Sequence, residues 1–148
     1  MLNTFDLAWA DRRIGATQAP RRFLDYVVDG RSFYEMHGRD LISVLGWGVP
    51  AEDDRAAERM RSGSSDLDGR TAIAVCPEDG DLLCGAMSAK IVIADGEVQW
   101  TELAISSYDH LAGAWSHESV LLPHAPQLRF DVTRYRDVIS TRPKTAFQ

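Results

Sequence analysis

The stretch AMSAKIVIADGEVQWTELAI, Ala86–Ile105, decides the fold. Asp95-Gly96 at its middle is the dipeptide favoured by two-residue type I′ hairpin turns, which need positive φ at both central residues. Counting outward from that turn sets Ala94 opposite Glu97, Ile93 opposite Val98, Val92 opposite Gln99 and Ile91 opposite Trp100. Side chains alternate along a strand, so Ile91, Ile93, Val98 and Trp100 share one face. Lys90, Val92, Gln99 and Thr101 share the other. The turn and the apolar pattern specify the same register, and a slip of one residue would carry the apolar set into water. Beyond Thr101 the apolar phase moves to Leu103 and Ile105, which predicts a bulge near Thr101–Glu102.

Working outward, Thr71–Cys76 is β-rich and supplies a neighbouring strand. Leu2–Ala10 and Phe23–Val28 suit two further strands, with Gly15–Pro20 as connector and Asp29-Gly30 as a turn. Between Arg31 and Leu45 the apolar residues Phe33, Met36, Leu41, Val44 and Leu45 fit a helical stripe that Gly38 divides into two pieces. Ala51–Met60 reads as a helix, with Glu52, Asp53 and Asp54 in its first turn and Arg59 and Arg61 at its end, matching the helix dipole. Ser62–Gly69 is a small polar loop, the best candidate for local mobility. Tyr108–Gln127 has no steady period. Leu128–Phe130 is a short final strand, and Asp131 looks like the N-cap of a helix to Ile139. Strands in runs rather than strict βαβ alternation indicate an α+β fold. The expected architecture is a single domain, a mainly antiparallel sheet with a central β-hairpin and helices packed on one side.

The 148 residues carry a formal net charge of −6 and 45% apolar residues, ordinary for one globular domain. The acidic balance disfavours nucleic acid and anionic membrane, whose binding needs clustered cations. The longest uncharged apolar run, Leu41–Ala51, is about half of the roughly 20 residues a membrane helix needs. The N-terminus has no basic n-region, and two cysteines are too few for a secreted disulfide scaffold, so the expected location is cytoplasmic.

Several motifs carry potential chemistry. Gly46-Trp47-Gly48-Val49-Pro50-Ala51 matches the spacing of a dinucleotide fingerprint. Glu52, Asp53 and Asp54 at the following helix start would repel a pyrophosphate, and Pro50 removes an amide from the cradle, so the motif reads as a turn and no cofactor is expected. Cys76 and Cys84 flank an acidic loop that also holds Asp79 and Asp81. Their spacing, Cys-x7-Cys, is far from the zinc signature, so two small buried hydrophobes compete with a metal or thiol site formed by Cys76, Asp79 and Cys84. His110, His117 and His124 are seven apart, too far on a helix to share a metal and alternating in face on a strand. Glu102 and Asp109 are candidate paired carboxylates or ordinary surface acids. Trp100 belongs to the expected core, yet with Tyr108 and Trp115 it also offers walls for a small-molecule pocket.

The pieces Gly69-Arg70, Cys76-Pro77-Glu78, Gly80-Asp81-Leu82, Cys84-Gly85-Ala86, Trp100, Leu128, Phe130-Asp131 and Tyr135 resemble an uncharacterised family of small actinobacterial proteins. That family carries a Cys-Pro-Glu-Cys-Gly-Asp-Leu-Gly-Cys-Gly-like loop and a C-terminal Phe-Asp-x-x-x-Tyr segment. The resemblance runs from about Val28 to Ile139 and implies a shared fold rather than a reaction. Here Asp79 stands where the family has its middle cysteine and Leu83 where it has a loop glycine, so a three-thiolate site would have lost one ligand.

No assembled catalytic set appears, and residues 52–81 hold more than twice as many acids as bases. The expected function is therefore a small acidic binding protein, immunity-like or regulatory, whose partner is another protein with a basic surface. The alternatives are a small enzyme or metal/thiol protein built on the Cys76–Cys84 loop, and a small-molecule pocket protein with Trp100, Glu102, Tyr108, Asp109 and Trp115 at its site.

Overall fold

A computed structural model describes residues 1–13, 20–122 and 127–143. The Gly15–Pro20 connector lies almost entirely outside these residues, and His124 wholly so. A three-stranded sheet has the order β1 (Phe5–Asp11), β2 (Arg22–Val28), β3 (Arg31–Ser32). A second sheet runs β4 (Ile42–Ser43), β5 (Thr71–Val75), β6 (Ala86–Ala94), β7 (Glu97–Asp109), β8 (Ala114–Ser119), and β9 (Leu128–Asp131) also pairs with β7. Every pairing is antiparallel. The helices are α1 (Phe33–His37), α2 (Pro50–Ser62) and α3 (Val132–Ser140). The expected α+β class and mainly antiparallel sheet are what the chain adopts.

The central hairpin forms in the register set by its turn, Ile93 opposite Val98 and Ile91 opposite Trp100. Asp95 and Gly96 have φ of 53° and 76°, the pair of positive values that type I′ requires. Asp29-Gly30 and Asp68-Gly69 repeat that conformation. Val98 and Trp100 are fully buried, while Ile91 and Ile93 are half-buried against the same core. Gly63, the left-handed C-cap of α2, lies over these two isoleucines: a Cβ there would sit 3.3 Å from the Ile91 carbonyl oxygen. The expected bulge is present, because Lys90 pairs with Thr101 whereas Ser88 pairs with Ala104. Glu102 turns the corner at φ 51°, an uncommon conformation for a residue with a Cβ.

The two sheets share one core. Trp100 meets Phe5, Tyr26, Phe33, Phe130 and Tyr135 in edge-on contacts with centroids 5.1–6.3 Å apart. Its indole N–H donates to the Tyr135 hydroxyl at 3.3 Å, and that hydroxyl donates to the Met60 carbonyl at 2.7 Å, which ties β7, α3 and α2 together. Tyr26 of β2 donates to the Ile73 carbonyl of β5 at 2.6 Å, bridging the sheets.

The structure departs from three expectations. Only the first half of the Arg31–Leu45 stripe is helical. Gly38 takes φ 68° and its N–H closes on the Tyr34 carbonyl, so the chain leaves the helix and Ile42–Ser43 joins the sheet as β4. Tyr108–Gln127 contains β8, which pairs with the far end of β7. Its residues are nearly all exposed, so no alternation marks it. The 62–69 loop is also more tightly held than its polarity implies. Leu67 is buried, and Asp66 pairs with Arg59 and accepts from the Ala72 amide.

Two outcomes follow. Glu102→Gly relieves the positive φ and raises the denaturant midpoint by the equivalent of about 1 kcal/mol; an unchanged or lowered midpoint contradicts the strain. His37 is packed between Phe33 and Tyr34, and burial, assisted by Arg39, lowers its pKa to about 4. The neutral ring therefore contributes stability that is present above pH 6.5 and lost as pH falls toward 4, about 3 kcal/mol for that shift. Chemical denaturation across this range should show a steeper loss in the native protein than in His37→Gln.

Candidate binding cleft

The start of α2, the 46–50 turn, β5 and the acidic 76–84 loop enclose a cleft of about 390 Å³. Its apolar floor is Val44, Trp47, Ala56, Val75 and Leu82, and its charged wall is Glu52, Arg55, Arg59, Asp66 and Asp79. Asp53 also lines it, but both carboxylate oxygens are engaged. One accepts from the Gly46 amide at 2.7 Å, and the other takes two donors from Arg142. Those bonds fix the first turn of α2 over the 46–48 segment. Arg59 is tied to Asp66 at 3.0 Å. Among the described residues no ion pair holds Glu52 or Arg55.

Trp47 is set rigidly at this cleft. Its indole N–H donates to the Ser43 carbonyl at 2.8 Å. A Cβ on Gly80 would lie 3.1 Å from its ring, so only glycine permits this approach. The Arg21 guanidinium stands 5.4 Å from the ring centroid and donates to the Pro77 and Glu78 carbonyls at 2.7 and 2.9 Å. Arg12, whose side chain is almost fully buried, pairs with Asp40 and Glu78, and those bonds hold its guanidinium firmly protonated against the cost of burial. The loop that carries Asp79 is thus fastened by two arginines that flank the ends of β1 and β2.

The same loop brings donor atoms of Asp79, Asp81 and Cys84 within 4.8 Å of one another, all exposed. Cys76, the third member of the expected metal set, is not in that group. Asp79 accepts from the Asp81 amide and Asp81 from the Leu83 amide, each at 2.9 Å, so both carboxylates cap the turn. Desolvation and the carboxylates of Asp79 and Asp81 push the Cys84 thiol up, which keeps it protonated and a poor soft ligand. Both cysteines are free thiols, Cys76 half-buried and Cys84 exposed, rather than buried together.

The remaining expected site residues disperse. Trp100 is 0% exposed in the main core, whereas Trp115 packs against a separate cluster around Leu67 and Ala86, so the expected Trp100–Tyr108–Trp115 pocket does not form. Tyr108 and Trp115 meet each other across the β7–β8 pair, 5.3 Å between centroids. Asp109 caps the turn after β7 through the amides of Leu111 and Ala112, and Glu102 pairs with Lys90 at the bulge. The two acids do separate structural work.

A second constellation escaped the sequence reading. Arg70 Nε donates to Ser88 Oγ at 2.6 Å, Ser88 and Ser106 hydroxyls are 2.8 Å apart, Ser106 Oγ is 2.7 Å from His117 Nδ1, and His117 Nε2 is 2.8 Å from Asp68. An arginine only donates and a carboxylate only accepts, so the two ends dictate the direction of the whole chain. Each serine hydroxyl donates onward, and neutral His117 carries its proton on Nε2. The order Asp68–His117–Ser106 resembles a hydrolytic triad. Ser106 Oγ is sealed, however, since the residue is 0% exposed. The arrangement acts as a polar brace between the Asp68-Gly69 turn, the sheet and edge strand β8. In the sequence His117 stood out only as one of three evenly spaced histidines, with nothing to place it beside Ser106 and Asp68.

No known protein family matches the chain, and no significant match to a curated protein or to a solved structure emerges.

The brace makes a specific prediction. Nitrogen-15 NMR of neutral His117 should show the Nε2–H tautomer, and Ser88→Ala, which strands the Arg70 donor, should cost about 1–3 kcal/mol. The opposite tautomer would leave Asp68 without a donor from His117 and overturn the assigned chain.

Proposed function

We propose that this protein is a non-catalytic interaction protein, of immunity-like or regulatory type, whose cleft under α2 receives a cationic partner. The observation that carries this reading is the convergence of the acid-rich 52–81 segment on a concave site with an apolar floor: Glu52, Asp66 and Asp79 ring Trp47, Val75 and Leu82. Apolar floors supply affinity, while surrounding charge steers encounter and selects partners. The one Ser-His-Asp chain among the described residues is closed to solvent at its serine, which favours binding over turnover. No helix among the described residues is long and apolar enough to cross a membrane.

The test is titration of a fluorescent lysine- and arginine-rich peptide, followed by anisotropy at low and high salt. Saturable binding that weakens about tenfold at high salt is expected. The double variant Glu52→Gln/Asp79→Asn should weaken it further, while Asp6→Asn/Asp95→Asn, away from the cleft, should not. Lack of binding at low salt, or equal affinity in both double variants, overturns the proposal.

A further inference from the structure

We infer that the cation this cleft selects is a guanidinium, the side chain of a partner's arginine, stacked on Trp47 and held by Asp79 and Glu52. The inference deepens the preceding reading and rests on it.

The chain's own Arg21 shows what this neighbourhood recognises. Its guanidinium lies over the Trp47 ring at 5.4 Å and spends two of its planar donors on the Pro77 and Glu78 carbonyls. Asp79 is the next residue of that loop, and Gly80 after it presses its backbone on the Trp47 ring edge. One oxygen of Asp79 accepts from the Asp81 amide, whereas among the described residues the other has only the Cys84 thiol at 3.7 Å, a weak donor that leaves strong acceptor capacity. From the opposite wall, Glu52 leans back over the 46–48 turn: its Oε2 would be 3.8 Å from a Cβ on Gly48, the residue after Trp47. Two carboxylates from two elements thus line the same cleft as Trp47, and no ion pair within the described residues occupies Glu52.

The choice of guanidinium over ammonium follows from hydration and shape. Guanidinium is planar, weakly hydrated and stacks on indole while its edge donors reach carboxylates. A compact ammonium keeps its water and gains less from the ring. The apolar stem of an arginine suits the Val44, Ala56 and Leu82 floor, and about 390 Å³ accommodates it. Arg55 at the rim is exposed and repels any incoming cation, which gives the proposal a test of opposite sign.

Amide-capped arginine and amide-capped lysine are the probes, titrated by calorimetry and by the indole N–H signal of Trp47 in proton–nitrogen NMR. Arginine amide should bind at least about fivefold more tightly and move the Trp47 signal. Asp79→Asn and Glu52→Gln should each weaken it about threefold or more, and Arg55→Ala should tighten it. Trp47→Phe should bring the arginine-to-lysine ratio toward unity. The amide fingerprint of each variant confirms its fold, and the two carboxylate variants decide the matter if Trp47→Phe does not fold. Equal affinity for the two amides, shifts confined to residues outside the cleft, or indifference to Asp79 and Glu52 overturns the inference. If the basic peptide still binds through Glu52 and Asp79 while the two amides do not differ, guanidinium selection falls and the cationic-partner reading stands. If the peptide fails as well, both fall.

Discussion

Trp100 is the contact on which the architecture depends. It is fully buried, it touches aromatic rings from β1, β2, α1, β9 and α3, and its only polar atom is satisfied by Tyr135, which in turn anchors α2 through the Met60 carbonyl. A large ring with one donor demands a dry cavity and one acceptor in a fixed place. Meeting both conditions locks the two sheets and all three helices α1, α2 and α3 into one packing. The hairpin that presents Trp100 is local in sequence, while its neighbours come from both ends of the chain. The central element is therefore specified by residues close in sequence, and pieces from far along the chain pack on the face it presents.

What was legible in the sequence follows from that locality. The Asp95-Gly96 turn, the register of Ile91 and Trp100, and the bulge at Glu102 are set by residues within a few positions of one another, and each is present. The cap at Asp131 is equally local, its carboxylate accepting from the Arg134 amide. Edge strand β8 left no signal, because a strand exposed on nearly every residue has no apolar period. The second half of the Arg31–Leu45 stripe misled for the opposite reason: Leu41, Val44 and Leu45 pack into the protein from irregular backbone rather than from a helix face. The cleft was half legible. Its acidic segment and Asp79 stood out, but that Trp47, Glu52 and Leu82 meet there depends on tertiary packing. Trp100 and Trp115, which looked like partners, lie in different clusters.

The interior also redistributes charge. Arg12, Arg70 and Arg142 are buried, against only two buried acids, Asp25 and Asp53, among the described residues. Each of these arginines holds parts of the fold together. Arg12 clamps the 40 and 78 regions, Arg70 feeds the serine chain and the Glu102 carbonyl at the bulge, and Arg142 grips α2. Burial pulls Arg70 down from its usual value while Glu102 and Asp68 oppose that shift. Buried arginines thus serve as internal ties, and the 52–81 segment, with more than twice as many acids as bases, remains acidic.

The Arg142–Asp53 pair joins residues 89 positions apart, both almost fully enclosed. An isolated charge at Asp53 would be costly, about 3–5 kcal/mol when a buried partner is missing. Among the described residues the Gly46 amide alone would then hold the Asp53 carboxylate at the first turn of α2. One wall of the cleft is thus held in shape by an arginine from the far side of α3, and loss of that single side chain would loosen the mouth without touching any residue that lines it.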